Sequence, residues 1–362
     1  MSELNRLIDE LCPDGVENKN LGDICIISNG KDHKHLEDGK YPVYGSGGIM
    51  RYADKYLYDI PSVLIPRKGS IGNLFFVDSP FWTVDTIFYT KINTKIIVPK
   101  YLYYYLSICK IKDMNTAGGV PSLTKTVLDK IRIIIPPLPI QEEIVRILDA
   151  FTTLEAELEA ELEARKNQYV YYRDELLSFD HSVPVRKLHT LSEIGTGSSN
   201  TNEELEVGGF PFFVRSQEVR RMNTFEFDET AIVTSGDGVG VGKIIHFVEG
   251  KYALHQRAYR IHITDNTVLP KYFYYYMRCV FLPYIQQAAV NSSVTSIRRR
   301  MLEEFPVPIP PLAEQARIVE ILDRFDALTN DITLGLPAEI AARRKQYEYY
   351  RDKLLLFKEK VT

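Results

Sequence analysis

One stretch of sequence occurs twice in this chain. Residues 136–151 read PPLPIQEEIVRILDAF, and residues 310–325 read PPLAEQARIVEILDRF. A second stretch, QYVYYRDELL at 168–177, returns as QYEYYRDKLL at 346–355. The interval between the two stretches is four residues longer in the second copy. Repetition of this length and order means that the chain consists of two copies of one unit.

Each repeat predicts a long amphipathic helix. Apolar residues recur every three or four positions from Ile144 to Leu176, which places them on one face of the helix. Two prolines precede the start of each helix, where a missing N–H costs least. An unbroken helix over 141–178 would be about 57 Å long. An apolar face of this length cannot be covered by one small domain. We therefore predict antiparallel coiled-coil packing against the matching apolar face at 318–357.

The two helical regions differ in two places. The second contains Gly335-Leu336-Pro337, which predicts a break or kink because proline removes a backbone donor and clashes with the preceding turn. The first contains the tandem unit LEAE at 154–157 and 158–161. Removing one unit would shorten the helix by about 6 Å and rotate the remainder by about 40°.

The segments before each helix predict mixed α/β modules with a fainter repeat. Residues 16–21 resemble residues 183–188, and PKYLYYY at 99–105 resembles PKYFYYY at 270–276. Both PKY segments predict helices whose tyrosines are either core residues, which helical spacing favours, or base-stacking surfaces. Strands are predicted from short β-branched and aromatic runs. These runs lie at 62–65, 74–77, 86–90, 231–234, 244–248 and 258–263.

The predicted fold class is therefore α/β (mixed α+β). Two globular modules are joined by two long antiparallel coiled-coil helices with pseudo-two-fold symmetry. The predicted divisions are an N-terminal module at 1–139, a central helix at 140–180, a C-terminal module at 181–310 and a C-terminal helix at 311–362.

Composition limits the possible functions. The net charge of −4 argues against a protein that binds nucleic acid through its overall charge, although acidic residues crowd at 155–163 and basic clusters lie elsewhere. No apolar run is long enough to span a membrane, so we expect a cytoplasmic location and no membrane partner. The four cysteines are widely separated, which favours reduced thiols over metal ligands or disulfides.

No convincing catalytic or metal site is predicted. The glycine-rich segment 236–243 lacks the spacing of a phosphate-binding loop. Asp237 with Glu249 and Lys251 resembles the acidic elements of a metal-dependent nuclease, but the first copy has no equivalent. His33 and His35 have no companion ligands nearby in the sequence. An enzyme with an unrecognised site and a purely structural scaffold remain as alternatives.

Recognition of DNA remains as a possible function, because reading DNA bases needs arginine, lysine, asparagine or glutamine side chains on an ordered scaffold. For any single residue, a surface role in satisfying a turn stays open. Phosphate contacts are predicted for Lys31, Lys34, Arg215, Arg220 and Arg298. The predicted DNA-binding residues are Arg67, Lys68, Ser70, Asp85, Arg215, Arg220, Ser235, Asp237, Lys243, His255, Gln256 and Arg257.

The repeated helix start and the helix end at 165–177 and 343–355 resemble the two conserved regions of specificity (S) subunits of type I restriction–modification systems. The resemblance extends over nearly the whole chain in the family's order. It implies a non-catalytic, sequence-specific DNA-binding subunit with two target-recognition domains, each reading one half of a bipartite target.

The resemblance also implies the partners, which are double-stranded DNA, two methyltransferase (M) subunits and restriction (R) subunits. We expect no cofactor on this chain, because S-adenosylmethionine and ATP would be bound by those partners. The conserved helices would dock the M subunits. The predicted partner-binding residues are Ile144, Leu148, Phe151, Tyr172, Ile318, Leu322, Phe325 and Tyr350.

Overall fold

A computed structural model of the chain describes residues 3–114, 122–288, 296–331 and 333–357. The chain forms two compact units. The first comprises Met1–Glu159 with Ile340–Thr362, and the second comprises Ala160–Glu339. Each unit holds one globular module and parts of both helical regions. This division differs from the four consecutive segments predicted from the sequence, because each helical region contributes to both units.

In the described part, the first half of the chain contains nine strands, five α-helices and one 3-10 helix at Ile111–Met114. The strands are β1 (Glu17–Asn20), β2 (Cys25–Asn29), β3 (Asp38–Gly45), β4 (Gly48–Ala53), β5 (Ser62–Pro66), β6 (Phe75–Val77), β7 (Trp82–Thr83), β8 (Ile87–Ile92) and β9 (Arg132–Ile135). The helices are α1 (Glu3–Leu11), α2 (Leu21–Ile24), α3 (Pro99–Ile108), α4 (Lys125–Leu128) and α5 (Leu138–Leu176).

The second half repeats this order. Its strands are β10 (Val185–Lys187), β11 (Ser192–Thr196), β12 (Phe210–Phe213), β13 (Arg220–Met222), β14 (Phe227–Ser235), β15 (Ile245–Leu254), β16 (Ala258–Ile263) and β17 (Pro306–Pro308). Its helices are α6 (Pro270–Ala288), α7 (Arg299–Glu303), α8 (Leu312–Asn330) and α9 (Leu336–Leu355). Each predicted strand run overlaps an observed strand, and both PKY segments begin helices, as predicted.

The sheets confirm that the two modules are copies. In the first module, β2-β8-β5-β6 form one sheet and β4-β3-β7 another. In the second, β15 is long enough to serve both sheets, so the strand order β11-β16-β14-β15-β12-β13 is continuous. The parallel pairing of Val43 with Trp82 in the first module matches that of Phe212 with Ala253 in the second.

Each module has a neck, which we define as the two-stranded antiparallel ribbon where the chain joins the module. The neck of the first module is β1 paired with β9, and that of the second is β10 paired with β17. The resemblance between 16–21 and 183–188 therefore reflects a shared structural role. The chain enters and leaves each module at one place.

The tyrosines of α3 and α6 belong to the cores. Tyr101 and Tyr272 are fully buried, and their hydroxyls donate to the carbonyls of Ile134 (3.1 Å) and Pro308 (3.0 Å) in the necks. Tyr104 is also buried, and its hydroxyl donates to Asp149 at 2.6 Å. These contacts confirm the core interpretation over base stacking for these residues.

One glutamine in each copy attaches the long helix to its module. Gln141 is fully buried; its amide donates to the carbonyls of Pro136 (2.7 Å) and Ile96 (3.0 Å) and accepts the N–H of Val98 (2.8 Å). Gln315 makes the same three contacts in the second copy, each at 2.8 Å. We call these contacts the glutamine clamps. They explain why the repeated PPLxxQ sequence contains a glutamine.

Helices pair antiparallel within each unit, as predicted. In the first unit, Phe151 stacks on Tyr350 with ring centroids 5.6 Å apart, while Glu155, one turn later, pairs with the earlier Arg344 at 2.6 Å. In the second unit, Tyr172 stacks on Phe325 at 5.8 Å, and Leu176 lines a groove with the earlier Ile321. The same aromatic pair therefore joins the helices in both units.

The predicted break in the second helical region is confirmed. Helix α8 ends at Asn330, and α9 begins at Leu336 with Pro337 in its first turn. Asp331 accepts the backbone N–H of Thr333 at 2.7 Å within the break. Helix α5, by contrast, is continuous over 39 residues. In the described part of the chain, no helix has the length and apolar character needed to cross a membrane.

Candidate nucleic-acid interface

Loops from both sheets converge at one end of each module. We define the first loop end as residues 30–34, 45–47, 66–70 and 83–86, and the second loop end as residues 197–200, 214–216, 235–240 and 254–257. Most of the predicted DNA-binding residues lie in these two places. Both loop ends follow the ends of buried strands, which hold the loops on a rigid base.

The backbones of the two loop ends are connected in the same way. The N–H of Arg67 donates to Thr86 at 2.9 Å, and the carbonyl of Arg67 accepts from Leu123 at 2.8 Å. In the second loop end, the N–H of Gly236 donates to Arg257 at 2.9 Å, and its carbonyl accepts from Ile297 at 2.8 Å. These bonds make Lys68 the counterpart of Asp237, and Thr86 the counterpart of Arg257.

Two glycines that the sequence reasoning missed allow this backbone arrangement. A Cβ atom on Gly30 would lie 2.0 Å from the carbonyl oxygen of Val84, and one on Gly197 would lie 1.8 Å from that of Leu254. Only glycine permits backbones to approach this closely. Their signal in the sequence was a glycine directly after the strands β2 and β11.

In the first loop end, the predicted residues differ in exposure. Arg67 is half-buried, with its guanidinium carbon 5.2 Å from the centre of the Phe88 ring. Lys68, Ser70 and Asp85 are exposed. The stacking of Arg67 on Phe88 restricts its side chain and keeps its charge beside the exposed Lys68.

A cavity of about 590 Å³ opens beside these residues. Asp85 lies on its wall, together with Thr86, Ser46 and three residues that follow β2: Asp32, His33 and Lys34. Of these, only Asp85 and Lys34 were predicted to contact DNA. Ser46 was missed because its position after β3 becomes meaningful only once the sheets are assembled.

The second loop end has a cluster of three charged side chains. Asp237 accepts from Nη1 of Arg215 at 2.6 Å and from Nη1 of Arg257 at 3.3 Å. Partial burial opposes the charged form of Asp237, but the hydrogen bond from Arg215 and the charges of both arginines outweigh it, so its pKa lies below the usual value. We call these residues the Arg–Asp–Arg cluster.

Two of the predicted DNA-binding residues, Ser235 and His255, are corrected, because they are buried and cannot contact bases. Ser235 is fully buried, and its hydroxyl donates to the carbonyl of Asp237 at 2.7 Å. His255 is 4% exposed, and its Nδ1 accepts the backbone N–H of Arg257 at 2.9 Å. Burial, followed by the charges of Arg215 and Arg257, lowers the pKa of His255. Both side chains support the loop backbone through these hydrogen bonds, and their burial prevents contact with a base.

Three further predicted residues lie around this cluster. Gln256 is exposed and its amide donates to Asn200, another residue that the sequence reasoning missed. Lys243 is exposed after a glycine turn. Arg220 is half-buried at the start of β13, within ion-pair distance of Glu204 (3.7 Å) and Glu218 (3.4 Å).

The candidate phosphate-binding basics Lys31, Lys34 and Arg298 are all exposed. Lys31 and Lys34 belong to the first loop end. Arg298 follows Ser296, which forms a backbone bridge with Asp237 at the second loop end.

The structure does not assemble the nuclease alternative. Glu249 and Lys251 lie opposite Thr230 and Asp228 in the register of β14, several residues before the end of the strand that leads to Asp237. Among the described residues, no group of three or more histidine, cysteine or acidic side chains is arranged to hold a metal ion.

The predicted partner-binding residues fall into two sets. Ile144, Leu148, Ile318 and Leu322 are fully buried in the cores of this chain, so the prediction that they contact a partner is corrected: they attach the helices to the modules. Phe151 and Tyr350 line a groove of about 560 Å³ in the first unit. Tyr172 and Phe325 line a groove of about 720 Å³ in the second.

Comparisons with known proteins agree with this architecture. A family model described as the type I restriction modification DNA specificity domain matches residues 13–164 and 182–342. The specificity subunit of the Escherichia coli type I restriction enzyme EcoR124I/EcoR124II is 37% identical over 293 residues, which cover 73% of this chain and 72% of that protein. A Haemophilus influenzae protein, also named as a type I restriction enzyme specificity subunit, is 30% identical over 347 residues, covering 88% and 89%.

A crystal structure of the S subunit of a type I restriction–modification system from M. genitalium has the same fold, with a TM-score of 0.67 at 15% identity, covering 94% of this chain and 96% of that one. A chain with this family match and these relatives is a DNA sequence-specificity protein. The chain belongs to the family of type I restriction–modification DNA specificity subunits.

Proposed function

We propose that this chain is the non-catalytic subunit that reads a bipartite DNA target, with one loop end for each half-site. The observation that carries this proposal is the contrast within the loop ends. Their backbones are connected by equivalent hydrogen bonds, but the side chains at equivalent positions differ in charge and size. Such a pair suits the reading of two different sequences from one scaffold.

We further propose that the two grooves in the helical regions dock two M subunits. The grooves are equivalent, because Phe151 and Tyr350 of one correspond to Phe325 and Tyr172 of the other. Equivalent surfaces suit two copies of the same partner. R subunits would join that complex, S-adenosylmethionine and ATP would be bound by the partners, and the complex would act in the cytoplasm.

The acidic net charge fits this division of labour. Phosphate contacts supply most of the affinity of DNA-binding proteins, and a chain with a net charge of −4 has only local basic patches to offer. The partners would therefore supply much of the affinity, while the loop ends supply the sequence preference.

The test is base-resolution methylation mapping of a host that expresses this chain with its M subunit. The expected result is one asymmetric target with two specified half-sites and an unspecified gap. Variants of the first loop end should alter one half-site, and variants of the second should alter the other. Methylation by the purified chain alone would contradict the non-catalytic role, and methylation without sequence preference would contradict the reading role.

The tandem unit in α5 provides a second test. Deleting residues 158–161 shortens the helix by about 6 Å, which corresponds to about one to two base pairs of DNA. Both half-sites should keep their sequences while the gap between them changes. We therefore propose that the helical regions set the spacing of the half-sites, and an unchanged gap in the methylation map would contradict this.

A further inference from the structure

We infer that Asp237 is a positioning residue that holds Arg215 and Arg257 for guanine recognition in the half-site of the second module. This inference rests on the proposed function and deepens it, because it names the bases that one loop end reads. It is drawn from the geometry of the Arg–Asp–Arg cluster and from its absence at the equivalent place in the first module.

The cluster has the exposure that a reading site needs. The side chains of Arg215 and Arg257 are 39% and 61% exposed, while Asp237 between them is 28% exposed. Each arginine approaches Asp237 through Nη1. A guanidinium has five N–H donors in a planar fork, so donors remain on both arginines after the contact with Asp237.

The backbone under Asp237 is itself fixed. Its carbonyl accepts the buried hydroxyl of Ser235, and Ile297 donates to the neighbouring carbonyl of Gly236 at 2.8 Å. His255 is buried below and holds the N–H of Arg257 at 2.9 Å. The carboxylate is therefore a fixed point on an ordered loop, and both arginines are tied to it.

A carboxylate in this position solves two physical problems. Two guanidinium groups that approach the same point repel each other, and one negative charge between them offsets that repulsion. Each free arginine side chain also loses rotamer entropy when it binds, and prior fixation removes part of this cost. The cluster keeps a net charge of +1 towards an anionic ligand.

Guanine is the base that fits these donors. It presents two acceptors, O6 and N7, in the major groove, and arginine pairs with both at once. Adenine presents one acceptor and one donor there, and the donor opposes a guanidinium. Two arginines held by one carboxylate therefore favour guanines at one or two neighbouring base pairs.

The first loop end lacks this device. The sheet register and backbone hydrogen bonds make Ser46, Lys68 and Thr86 the counterparts of Arg215, Asp237 and Arg257. None of the three carries a guanidinium or a carboxylate. The effect of Asp237 should therefore be confined to one half-site.

The competing role is that both arginines contact phosphates, and the two roles predict opposite results. If the arginines contact phosphates, removing the negative charge of Asp237 should increase affinity for every DNA sequence. If they read bases, its removal releases the arginines, and the preference for guanine should fall while affinity for unrelated DNA stays the same or rises.

The experiment uses the complex of this chain with its M subunit and the target found by methylation mapping. Dissociation constants are measured for the target, for each single base-pair change, and for targets with 7-deazaguanine, which lacks the N7 acceptor. The variants are Asp237→Asn, Arg215→Met and Arg257→Met; methionine keeps most of the side-chain length but has no N–H donor. The matched control is Asp228→Asn, an exposed aspartate near the start of β14, about 23 Å along the strand from Ser235.

The wild-type complex should lose about 5- to 100-fold in affinity when 7-deazaguanine replaces a guanine at one or two positions of the second half-site. Each methionine variant should lose that discrimination at one position, and Asp237→Asn should weaken it at both. Discrimination in the first half-site should stay within about twofold, and Asp228→Asn should behave as wild type.

The inference would be overturned if Asp237→Asn increased the affinity for every sequence and left the discrimination between bases unchanged. It would also be overturned if the methionine variants still distinguished guanine from 7-deazaguanine. The methionine variants keep the test valid if Asp237→Asn fails to fold. If Lys243→Ala or Gln256→Ala alters the second half-site while the cluster variants do not, only this inference fails. If no variant of the second loop end alters any half-site, the proposed function itself fails.

Discussion

Each module has a side that attaches to the long helix and a loop end, and the two copies differ in how closely these regions match. At the attachment side, Gln141 and Gln315 make the same three hydrogen bonds, and the same tyrosine–aspartate contact recurs as Tyr104–Asp149 and Tyr275–Asp323. At the loop ends the backbone bonds and the glycines at positions 30 and 197 are shared. The side chains there have diverged.

The difference shows which interactions tolerate change. A buried glutamine that satisfies three backbone groups cannot be replaced without leaving some of them unpaired. An exposed side chain at a loop end has few neighbours, so replacing it disrupts few contacts. Assembly therefore restricts one side of the module, while the other is free to change its chemistry.

The largest expected effect tests whether the loop-end backbones are as alike as their hydrogen bonds indicate. Gly30→Ala and Gly197→Ala should each destabilise their own module by about 3 kcal/mol or more, because the added Cβ meets a backbone oxygen. Urea unfolding with hydrogen exchange would assign the loss to a module. Gly47→Ala and Gly209→Ala are the controls, since nothing lies within 4 Å of their added Cβ atoms. Unequal losses at Gly30 and Gly197 would weaken the equivalence.

The glutamine clamps provide the next test. Gln141→Ala and Gln315→Ala should each lower the free energy of unfolding by about 2–3 kcal/mol, because buried backbone donors and acceptors lose their partners. The exposed Gln217→Ala should change stability by less than about 0.5 kcal/mol. If one clamp variant is silent, the two attachment sides are not energetically alike.

A smaller effect is expected on DNA binding in the first loop end. In the complex with M subunits, Arg67→Ala should weaken DNA binding by about 1–3 kcal/mol if the arginine reads a base. This loss should be confined to one half-site. The exposed Lys95→Ala, which removes a positive charge from the loop before α3, is the control. Equal weakening for every sequence in a binding assay would assign Arg67 to a phosphate.

The smallest effect concerns pH. Burial and two neighbouring arginines hold the pKa of His255 below its ordinary value of 6.5, so the unfolded chain takes up the proton first as pH falls. Stability of the second module should therefore decline below about pH 6.5. His255→Val, which installs the residue of the equivalent position 84, should reduce this decline in unfolding measured at pH 7.5 and 5.5. An undiminished decline would exclude His255 as its source.

Much of the fold could be predicted because it depends on local patterns of the sequence. Helical periodicity and the paired prolines predicted α5, and Gly335 with Pro337 predicted the break before α9. The duplication then predicted two modules, because a repeated sequence repeats its structure. The grouping into units that combine both helical regions did not follow from chain order, since it depends on which helix segments meet in space.

The candidate site was predicted less completely. The loop tips were located correctly from glycines and charges, but Ser235 and His255 point inwards, which strand boundaries alone do not reveal. Asn200 and Ser46 were missed because they join the loop ends through strands distant in sequence. The pairing of Asp237 with two arginines depends on side-chain geometry that neither spacing nor composition records.

The position of the necks allows a whole module to be exchanged by recombination. Because β1 lies beside β9, and β10 beside β17, everything beyond each ribbon forms a cassette with adjacent ends. A foreign segment that meets the same two strands leaves the long helix and its glutamine in place, but it must supply the backbone groups that Ile96 and Val98, or Thr267 and Leu269, offer to that glutamine. The repeated stretches at 136–151 and 310–325 share ten of sixteen residues, so an exchange at this position keeps the start of the long helix. If each module reads one half-site, as proposed, recombination there changes one half of the target and keeps the rest of the chain.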